Sequence, residues 1–301
     1  MATALLVTGA GGQLGSDLLD QVRSTREVFA RGLTRKDLDV RDPFAVDDML
    51  LGWQRIVRSD SPDHRLVVVN CTAYTAVDAA EDDEETAYAV NAAAPALLAT
   101  ACAKVGARLV HVSTDYVFPG DGTRPYEVDD PTGPTGAYGR TKLAGEQAVR
   151  EILPAASHVV RTAWLYGATG QNFVKTMARL EGERETVSVV DDQRGSPTWS
   201  RDLAQGLLAL ATSDVPAGVL HAINAGDTTW HGFTRAIFEE LGADPGRVLS
   251  TTSDAYPRPA PRPAYSVLSP RSWNDAGLPP LQPWREALAE AFRTSGGAFR
   301  P

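Results

Sequence analysis

The sequence predicts an α/β fold: a doubly wound parallel sheet of Rossmann type, carrying a second, smaller lobe. Three observations lead there. Short apolar runs alternate with stretches of helical period through the first half of the chain. A glycine cluster follows the first of those runs directly, where the chain must turn from strand into helix. And 301 residues suffice for one large layered domain with a smaller lobe beside it. Alternation at this spacing selects parallel pairing, because each crossover between parallel strands is filled by a helix that packs back on the sheet.

Each element has its own reason. Leu5-Leu6-Val7-Thr8 reads as a buried strand because it is short, apolar and stopped by Gly9. Helical periodicity follows over residues 13–22. Residues 28–33, 66–70 and 108–113 read as the next three strands, and residues 84–105 and 137–153 as helices between and after them. In the second half, residues 158–161, 187–190 and 219–223 read as further strands. Prolines then crowd residues 255–283, as in Tyr256-Pro257-Arg258-Pro259-Ala260-Pro261-Arg262-Pro263. Proline lacks an amide donor, so this segment can form neither a central strand nor a regular helix. Apolar residues nevertheless continue through Trp273 and Trp284 into a helical stretch at 285–292, which points to an ordered loop over the smaller lobe.

Composition narrows the function. Hydrophobic residues make up 43% and charged residues 22% of the chain, an ordinary globular balance. The formal charge of −9 repels polyanions, which argues against nucleic acid as a partner. No basic region precedes residues 4–7, so no signal peptide is expected. The longest apolar stretch, residues 92–103, is interrupted by Pro95 and built of small side chains, so no membrane span is expected. Cys71 and Cys102 lack metal-type or redox-type spacing and read as free thiols in a reducing cytoplasm. The histidines His64, His111, His158, His221 and His231 are scattered and read as structural.

Gly9-Ala10-Gly11-Gly12-Gln13-Leu14-Gly15 has the spacing G-x-x-G-x-x-G at the first strand–helix junction. Gly9 permits the tight turn, Gly12 lets backbone approach a pyrophosphate, and Gly15 allows close helix packing. The free amides of that helix start, with the positive end of its dipole, would hold a diphosphate. The turn therefore marks a dinucleotide site. Residues 1–163 are assigned mainly to dinucleotide binding, with 187–223 returning to that domain, and residues 164–186 and 224–301 mainly to a substrate lobe. About 20 residues beyond the turn, where the adenosine ribose is read, stands Arg35 with Lys36 beside it. A planar guanidinium suits a 2′-phosphate and favours NADPH, with NADH possible, since Asp37 and Asp39 follow closely and one of them could serve the adenine side.

Tyr138-Gly139-Arg140-Thr141-Lys142 supplies Tyr-x-x-x-Lys within a helical stretch, which puts both side chains on one face, a turn apart. Hydride delivery to a ketone generates an alkoxide, and a phenol can protonate it. A neighbouring ammonium is expected to lower the phenol pKa and to hold the nicotinamide ribose. Ser113-Thr114-Asp115-Tyr116 ends the fourth strand on the same side, so a hydroxyl there completes an acid plus an oxyanion-type donor.

With these residues in view, the chain resembles the dTDP-4-dehydrorhamnose reductase family, extended short-chain dehydrogenases that reduce the C4 ketone of a dTDP-6-deoxy-4-ketohexose. The resemblance runs nearly end to end. It is carried by residues 7–15, by Asn70-Cys71-Thr72-Ala73-Tyr74-Thr75-Ala76-Val77-Asp78, and by Ser113-Thr114-Asp115-Tyr116-Val117-Phe118. Residues 138–146, Arg161-Thr162-Ala163-Trp164, Asn172-Phe173, Asp192-Gln193-Arg194-Gly195-Ser196-Pro197-Thr198, Arg262-Pro263, Ser266 and Leu268 extend it. It implies Tyr138 as the acid, Lys142 as its cofactor-binding partner and Thr114 as the hydroxyl orienting the ketone. Asp115, Tyr116 and Trp164 would line the sugar site, Arg262 and Ser266 would reach the nucleotide-sugar, and Asp39, Val40, Ala73, Tyr74 and Thr75 would lie along the cofactor.

Certain members of that family dimerise around Mg²⁺ held by three acidic side chains. Here Asp17 and Glu290 match two of them, but Arg201 stands where the third would be, and a guanidinium opposes a cation. No metal is expected, and the chain is expected to be a monomer or a weak homodimer in the cytoplasm. The sugar stays open between the rhamnose precursor and relatives such as a branched streptose-type sugar. A catalytically silent regulatory subunit, like the regulatory partner of methionine adenosyltransferase, resembles the same family; the presence of Thr114, Tyr138 and Lys142 favours the enzyme.

Overall fold

Six strands pair into one wholly parallel sheet in a computed structural model, which describes residues 2–25, 27–61 and 63–299. They are β1 (Thr3–Thr8), β2 (Val28–Leu33), β3 (Arg65–Asn70), β4 (Arg108–Thr114), β5 (Ser157–Thr162) and β6 (Gly218–His221), in the order β6-β5-β4-β3-β1-β2. The chain steps one way from β1 to β2 and the other way from β1 to β3. A crevice therefore opens at the carboxyl ends of β1 and β3, where ligands bind in such sheets.

Period-2 alternation sorts the strand side chains onto two faces. Ala4 and Leu6 of β1, with Leu66 and Val68 of β3, face one helical layer; Leu5, Val7, Val67 and Val69 face the other. The helices are α1 (Gln13–Arg23), α2 (Pro43–Asp60), α3 (Glu84–Val105), α4 (Ala137–Ile152), α5 (Phe173–Glu183), α6 (Ser200–Thr212), α7 (Trp230–Leu241) and α8 (Trp284–Phe299). α2, α3 and α4 cover the first face, and α1 and α6 cover the second. α3 is long and apolar enough to cross a membrane by length and composition, but its Leu98, Ala99, Cys102 and Val105 are buried under the sheet. A π turn, Ala89–Ala93, interrupts it.

A further core packs α5, α7 and α8 around Tyr166, Phe233, Phe238 and Phe292. Here the structure departs from the expected division. Residues 187–190 do form a strand, but Val187–Val190 pairs in parallel with Val248–Thr251, and Val187 and Val189 join this further core. The chain regains the main sheet only at α6 and β6. The proline-rich region also divides differently from expectation. Trp273 and Leu278 are buried in the sheet's own core, and the Trp273 ring lies over Gly206 of α6. The physical reason is space: Gly206 has no side chain, so the Trp273 indole lies against α6 and its apolar surface is buried there.

One buried ion pair ties α4 to the sheet. Arg161 of β5 donates from Nε to Glu146 Oε1 at 3.0 Å and from Nη2 to Oε2 at 2.7 Å, and the side chains are 4% and 2% exposed. The same guanidinium lies 5.0 Å above the Phe118 ring. Truncating one partner strands the other charge away from water. Glu146→Ala should therefore cost about 3–5 kcal/mol of stability, read as a lower urea midpoint at an unchanged m-value.

Candidate active site

The glycine turn is built around an approach of two strand ends. Gly9 leaves β1 at φ +71°, and a Cβ there would lie 2.8 Å from the Cys71 carbonyl carbon and 2.9 Å from the Thr72 amide nitrogen, just past β3. Gly15 faces back onto the Gly9 carbonyl, which a Cβ would overlap. Gly12 caps α1 with no side-chain bond, and its amide donates to the Gly9 carbonyl at 3.0 Å. The first helical amides thus have no side-chain cap, and the positive dipole end is open to an anion. The Leu14 side chain is buried in the sheet core, so only its backbone is available to a ligand. Gln13 faces outward: its Oε1 accepts from Asn172 Nδ2 at 3.1 Å, which ties the turn to the start of α5.

Beside the turn lies a cleft of about 300 Å³ lined by Gly9, Arg35, Asp39, Val40, Ala73 and Tyr74, among others. The carboxylates in and beside it are committed. Asp37 Oδ2 accepts from the Thr34 amide at 2.9 Å and the Thr34 hydroxyl at 2.6 Å, which holds its carboxyl below the ordinary range. Asp39 accepts from Arg41 Nε at 2.9 Å and Nη2 at 2.7 Å, which brings its pKa down to about 2. Arg35 makes no hydrogen bond or ion pair among the described residues, so the cleft presents one uncommitted guanidinium.

The second part of the site lies at the end of β4. Thr114 Oγ1 accepts from the Tyr116 amide at 3.2 Å and donates to Asp115 Oδ1 at 3.0 Å. Tyr138, in the first turn of α4, meets the Tyr116 ring edge-on at 5.6 Å. Burial pushes the Tyr138 phenol up to about 12; a hydrogen bond with the Thr114 hydroxyl opposes that rise and the Asp115 charge adds to it. Lys142, 2% exposed, donates from Nζ to the Val112 carbonyl at 2.6 Å. Burial brings its pKa down to about 8, with Glu146 and Cys71 opposing. Asp115, also 2% exposed, is raised to about 6 by burial, while the Ser266 and Thr114 hydroxyls pull it back. Its Oδ2 has no hydrogen-bond partner of good geometry. Arg262 reaches the same region from the proline-rich segment, where its Nη2 pairs with Asp78 Oδ1 at 2.8 Å and its charge is felt at Tyr116.

A family model described as the RmlD substrate binding domain matches residues 3–296. The dTDP-4-dehydrorhamnose reductase of Mycobacterium tuberculosis (strain ATCC 25618 / H37Rv) is 55% identical over 294 residues, covering 96% of this chain and 92% of that protein. The protein of the same name from Streptomyces griseus is 52% identical over 302 residues, covering 98% and 95%. The crystal structure of the dTDP-4-dehydrorhamnose reductase from Bacillus anthracis str. Ames in complex with NADP superposes with a TM-score of 0.90 at 35% identity, covering 98% of this chain and 100% of that one. The chain belongs to the dTDP-4-dehydrorhamnose reductase family.

Within this family member the structure brings together most of the residues singled out from sequence. Gly9, Arg35, Asp39, Val40, Ala73 and Tyr74 share one cleft, while Thr75 is exposed and does not line it. Thr114, Asp115, Tyr116, Tyr138, Ser266 and Arg262 converge at the end of β4. Trp164 stacks on Trp230, with centroids 3.5 Å apart and planes 4° apart, and its φ of 46° is the one positive non-glycine value among the described residues. Gly195 leaves room for that indole. The Arg201 charge is felt at both Asp17 and Glu290, although burial raises the Asp17 carboxyl overall and Arg293 is what chiefly holds the Glu290 carboxyl low.

One electrostatic expectation fails. Lys142 is not among the influences on the Tyr138 phenol; its ammonium turns to the Val112 carbonyl, and its charge is felt at Cys71 and His111 instead. Burial therefore decides the phenol pKa and raises it. Sequence reasoning also missed Arg41 and Asn91. Asn91 Oδ1 accepts from the Tyr74 amide at 2.9 Å, and its Nδ2 donates to Thr141 Oγ1 at 3.2 Å. An asparagine inside an apolar helix, one turn before Pro95, was the available signal, since such a residue must find buried partners.

These shifts fix the sign of a pH effect. Lys142 is a cation below about 8 and loses its charge above it, whereas Tyr138 stays protonated up to about 12. If the Lys142 ammonium holds a dinucleotide, the affinity for NADPH, read by fluorescence quenching, should fall as pH rises through about 8, and Lys142→Met should bind weakly with that dependence removed.

Proposed function

We propose that this chain uses NADPH to reduce the C4 ketone of a dTDP-6-deoxy-4-keto sugar. The observation that carries the reading is a phenol held protonated beside a threonine hydroxyl at the carboxyl end of β4, with a buried lysine one helical turn away. The uncapped start of α1 fits a diphosphate, and the free amides of Gln13, Leu14 and Gly15 would hold it, with Gly11 and Gly12 in the turn beside it. Arg35 would take the 2′-phosphate, because Asp37 and Asp39 are already engaged by Thr34 and Arg41. Asp39 and Val40 would lie at the adenosine end, Ala73, Tyr74 and Thr75 along the nicotinamide half, and Tyr138 and Lys142 at its ribose. When bound, the dinucleotide supplies a hydride.

The chain's own residues do the rest. The Thr114 hydroxyl orients the ketone oxygen, and Tyr138 gives its phenolic proton to that oxygen as negative charge develops there. Lys142 holds the ribose with its ammonium while that group is charged. Asp115, Tyr116 and Trp164 line the sugar, and Arg262 with Ser266 reaches the nucleotide-sugar from the substrate side, residues 164–199 together with much of 224–301. Arg201 supplies positive charge beside Asp17 and Glu290, so no metal is assigned to that cluster. The names of the Mycobacterium tuberculosis and Streptomyces griseus relatives favour dTDP-4-dehydrorhamnose as the sugar. Both ligands are nucleotides, which suits a cytoplasmic enzyme.

Two experiments test this. Arg35→Ala should raise the KM for NADPH roughly 10- to 150-fold, the equivalent of a charge-assisted contact of about 1.5–3 kcal/mol, and leave the KM for NADH nearly unchanged. Equal effects on both cofactors would reject the assignment. Tyr138→Phe keeps the ring and its packing but removes the proton donor, so kcat with NADPH and dTDP-4-dehydrorhamnose should fall about 10²- to 10⁴-fold at nearly constant NADPH affinity. A wild-type chain that binds NADPH and a partner protein but reduces no 4-keto sugar would establish the silent regulatory subunit instead.

A further inference from the structure

We infer that Glu81 is a positioning residue for the reaction: its carboxylate caps the start of α4 from a distant part of the chain and sets where Tyr138 points. The inference rests on the proposed role of Tyr138, and it begins from a gap in local capping. α4 carries Tyr138 at its second residue, yet its own N-cap is Gly136, which offers no side chain to the exposed helical amides. The Ala137 amide is satisfied instead by Glu81 Oε1 at 2.8 Å, 56 residues earlier in the chain. A carboxylate at a helix N-terminus also meets the positive end of the dipole.

The glycine at 136 is what admits it. A Cβ there would lie 2.8 Å from Glu81 Oε1, so the capping carboxylate occupies the space that an ordinary side chain at the N-cap would fill. On its other side the helix is held just as closely. Gly139 faces the Tyr116 carbonyl so tightly that a Cβ would overlap it, and this presses the first turn of α4 onto the end of β4, where Thr114 sits. Tyr138 is therefore carried by a helical turn clamped between the Tyr116 backbone and the Glu81 carboxylate.

The turn that bears Glu81 is itself fixed. It is the short helix Ala79–Asp82, whose Ala80 is fully buried and packs with Ala87 and Ala137. Just before it, Asp78 pairs with Arg262 at 2.8 Å. Farther along the same stretch, Glu84 takes a bidentate pair from Arg140 at 3.0 and 2.7 Å. That pair is half exposed and adds little by itself. Glu81 is the member of this set whose bond falls next to Tyr138 in sequence. A shift of about 1 Å in a group that must meet a reacting oxygen can cost about 10²-fold in rate, so the cap would show in turnover before it shows in binding.

The experiment compares Glu81→Ala, Glu81→Gln, Gly136→Ala and the double variant Gly136→Ala/Glu81→Ala with the wild-type chain. Turnover is read with NADPH and dTDP-4-dehydrorhamnose, NADPH affinity by fluorescence quenching, and exchange of the Ala137 amide by NMR. Glu81→Ala should lower kcat roughly 10- to 100-fold, leave the sugar KM and NADPH affinity within about twofold, and expose the Ala137 amide to exchange. Glu81→Gln keeps an oxygen acceptor and should return most of the kcat and the protection. Gly136→Ala should push the carboxylate aside and reproduce the loss, and the double variant should be no worse than Glu81→Ala alone. Wild-type kcat in Glu81→Ala, equal losses in the Gln and Ala variants, or multiplied losses in the double variant would each overturn the inference while leaving the Tyr138 reading intact. If the wild type reduces no 4-keto sugar, that reading falls, and Ala137 exchange still decides whether Glu81 holds the helix.

Discussion

The approach of Gly9 to the end of β3 is the constraint on which the rest of the site is registered. β1 and β3 are neighbours in the sheet, and the turn after β1 runs so close to Cys71 and Thr72 that no side chain fits at residue 9. That contact sets where α1 begins, because Gly12 bonds back to the Gly9 carbonyl and Gly15 packs against it. It also sets where the chain leaves β3, and so where Ala73 and Tyr74 pass beside the cleft. The switch of strand order between β1 and β3 then puts the anion-ready helix start and the cleft on one side of the sheet.

From that origin the catalytic half is placed by burial and by bonds between elements. Arg161 and Glu146 hold α4 against β5, and Asn91 joins α4 to the Tyr74 segment. The cost appears as displaced proton affinities. Tyr138, Lys142 and Asp115 all lie where the charged form is poorly solvated, so the phenol and the carboxyl move up and the ammonium moves down. A phenol that stays protonated suits a proton donor. Lys142, brought down to about 8, and Asp115, raised to about 6, are the groups of this cluster that change charge nearest neutrality, while the phenol does not.

Much of this was readable along the chain because its signals are local. The strands at residues 28–33 and 187–190 fall where apolar runs predict them, and the helix over 84–105 follows its period. What was misread is partnership. The strand at 187–190 looks no different from a strand of the main sheet, yet its mate is Val248–Thr251. Trp273, in a proline-rich stretch assigned to the smaller lobe, goes back to the sheet because Gly206 leaves a place for an indole.

By itself the sequence determined the doubly wound sheet, the glycine turn, the Tyr-x-x-x-Lys pair and the arginine beyond the turn, since each depends on spacing within a few residues or on one helix face. Only the tertiary structure decided which charges are free to act. Asp37 and Asp39 are both near Arg35 in sequence, but Thr34 and Arg41 engage them, and this leaves the guanidinium of Arg35 uncommitted. Lys142 sits one turn from Tyr138, but the Val112 carbonyl on β4 takes one of its ammonium donors and so fixes where the charge lies. A hydrogen bond is won by the partner nearest in space, and for a buried group that partner arrives with packing from residues far along the chain.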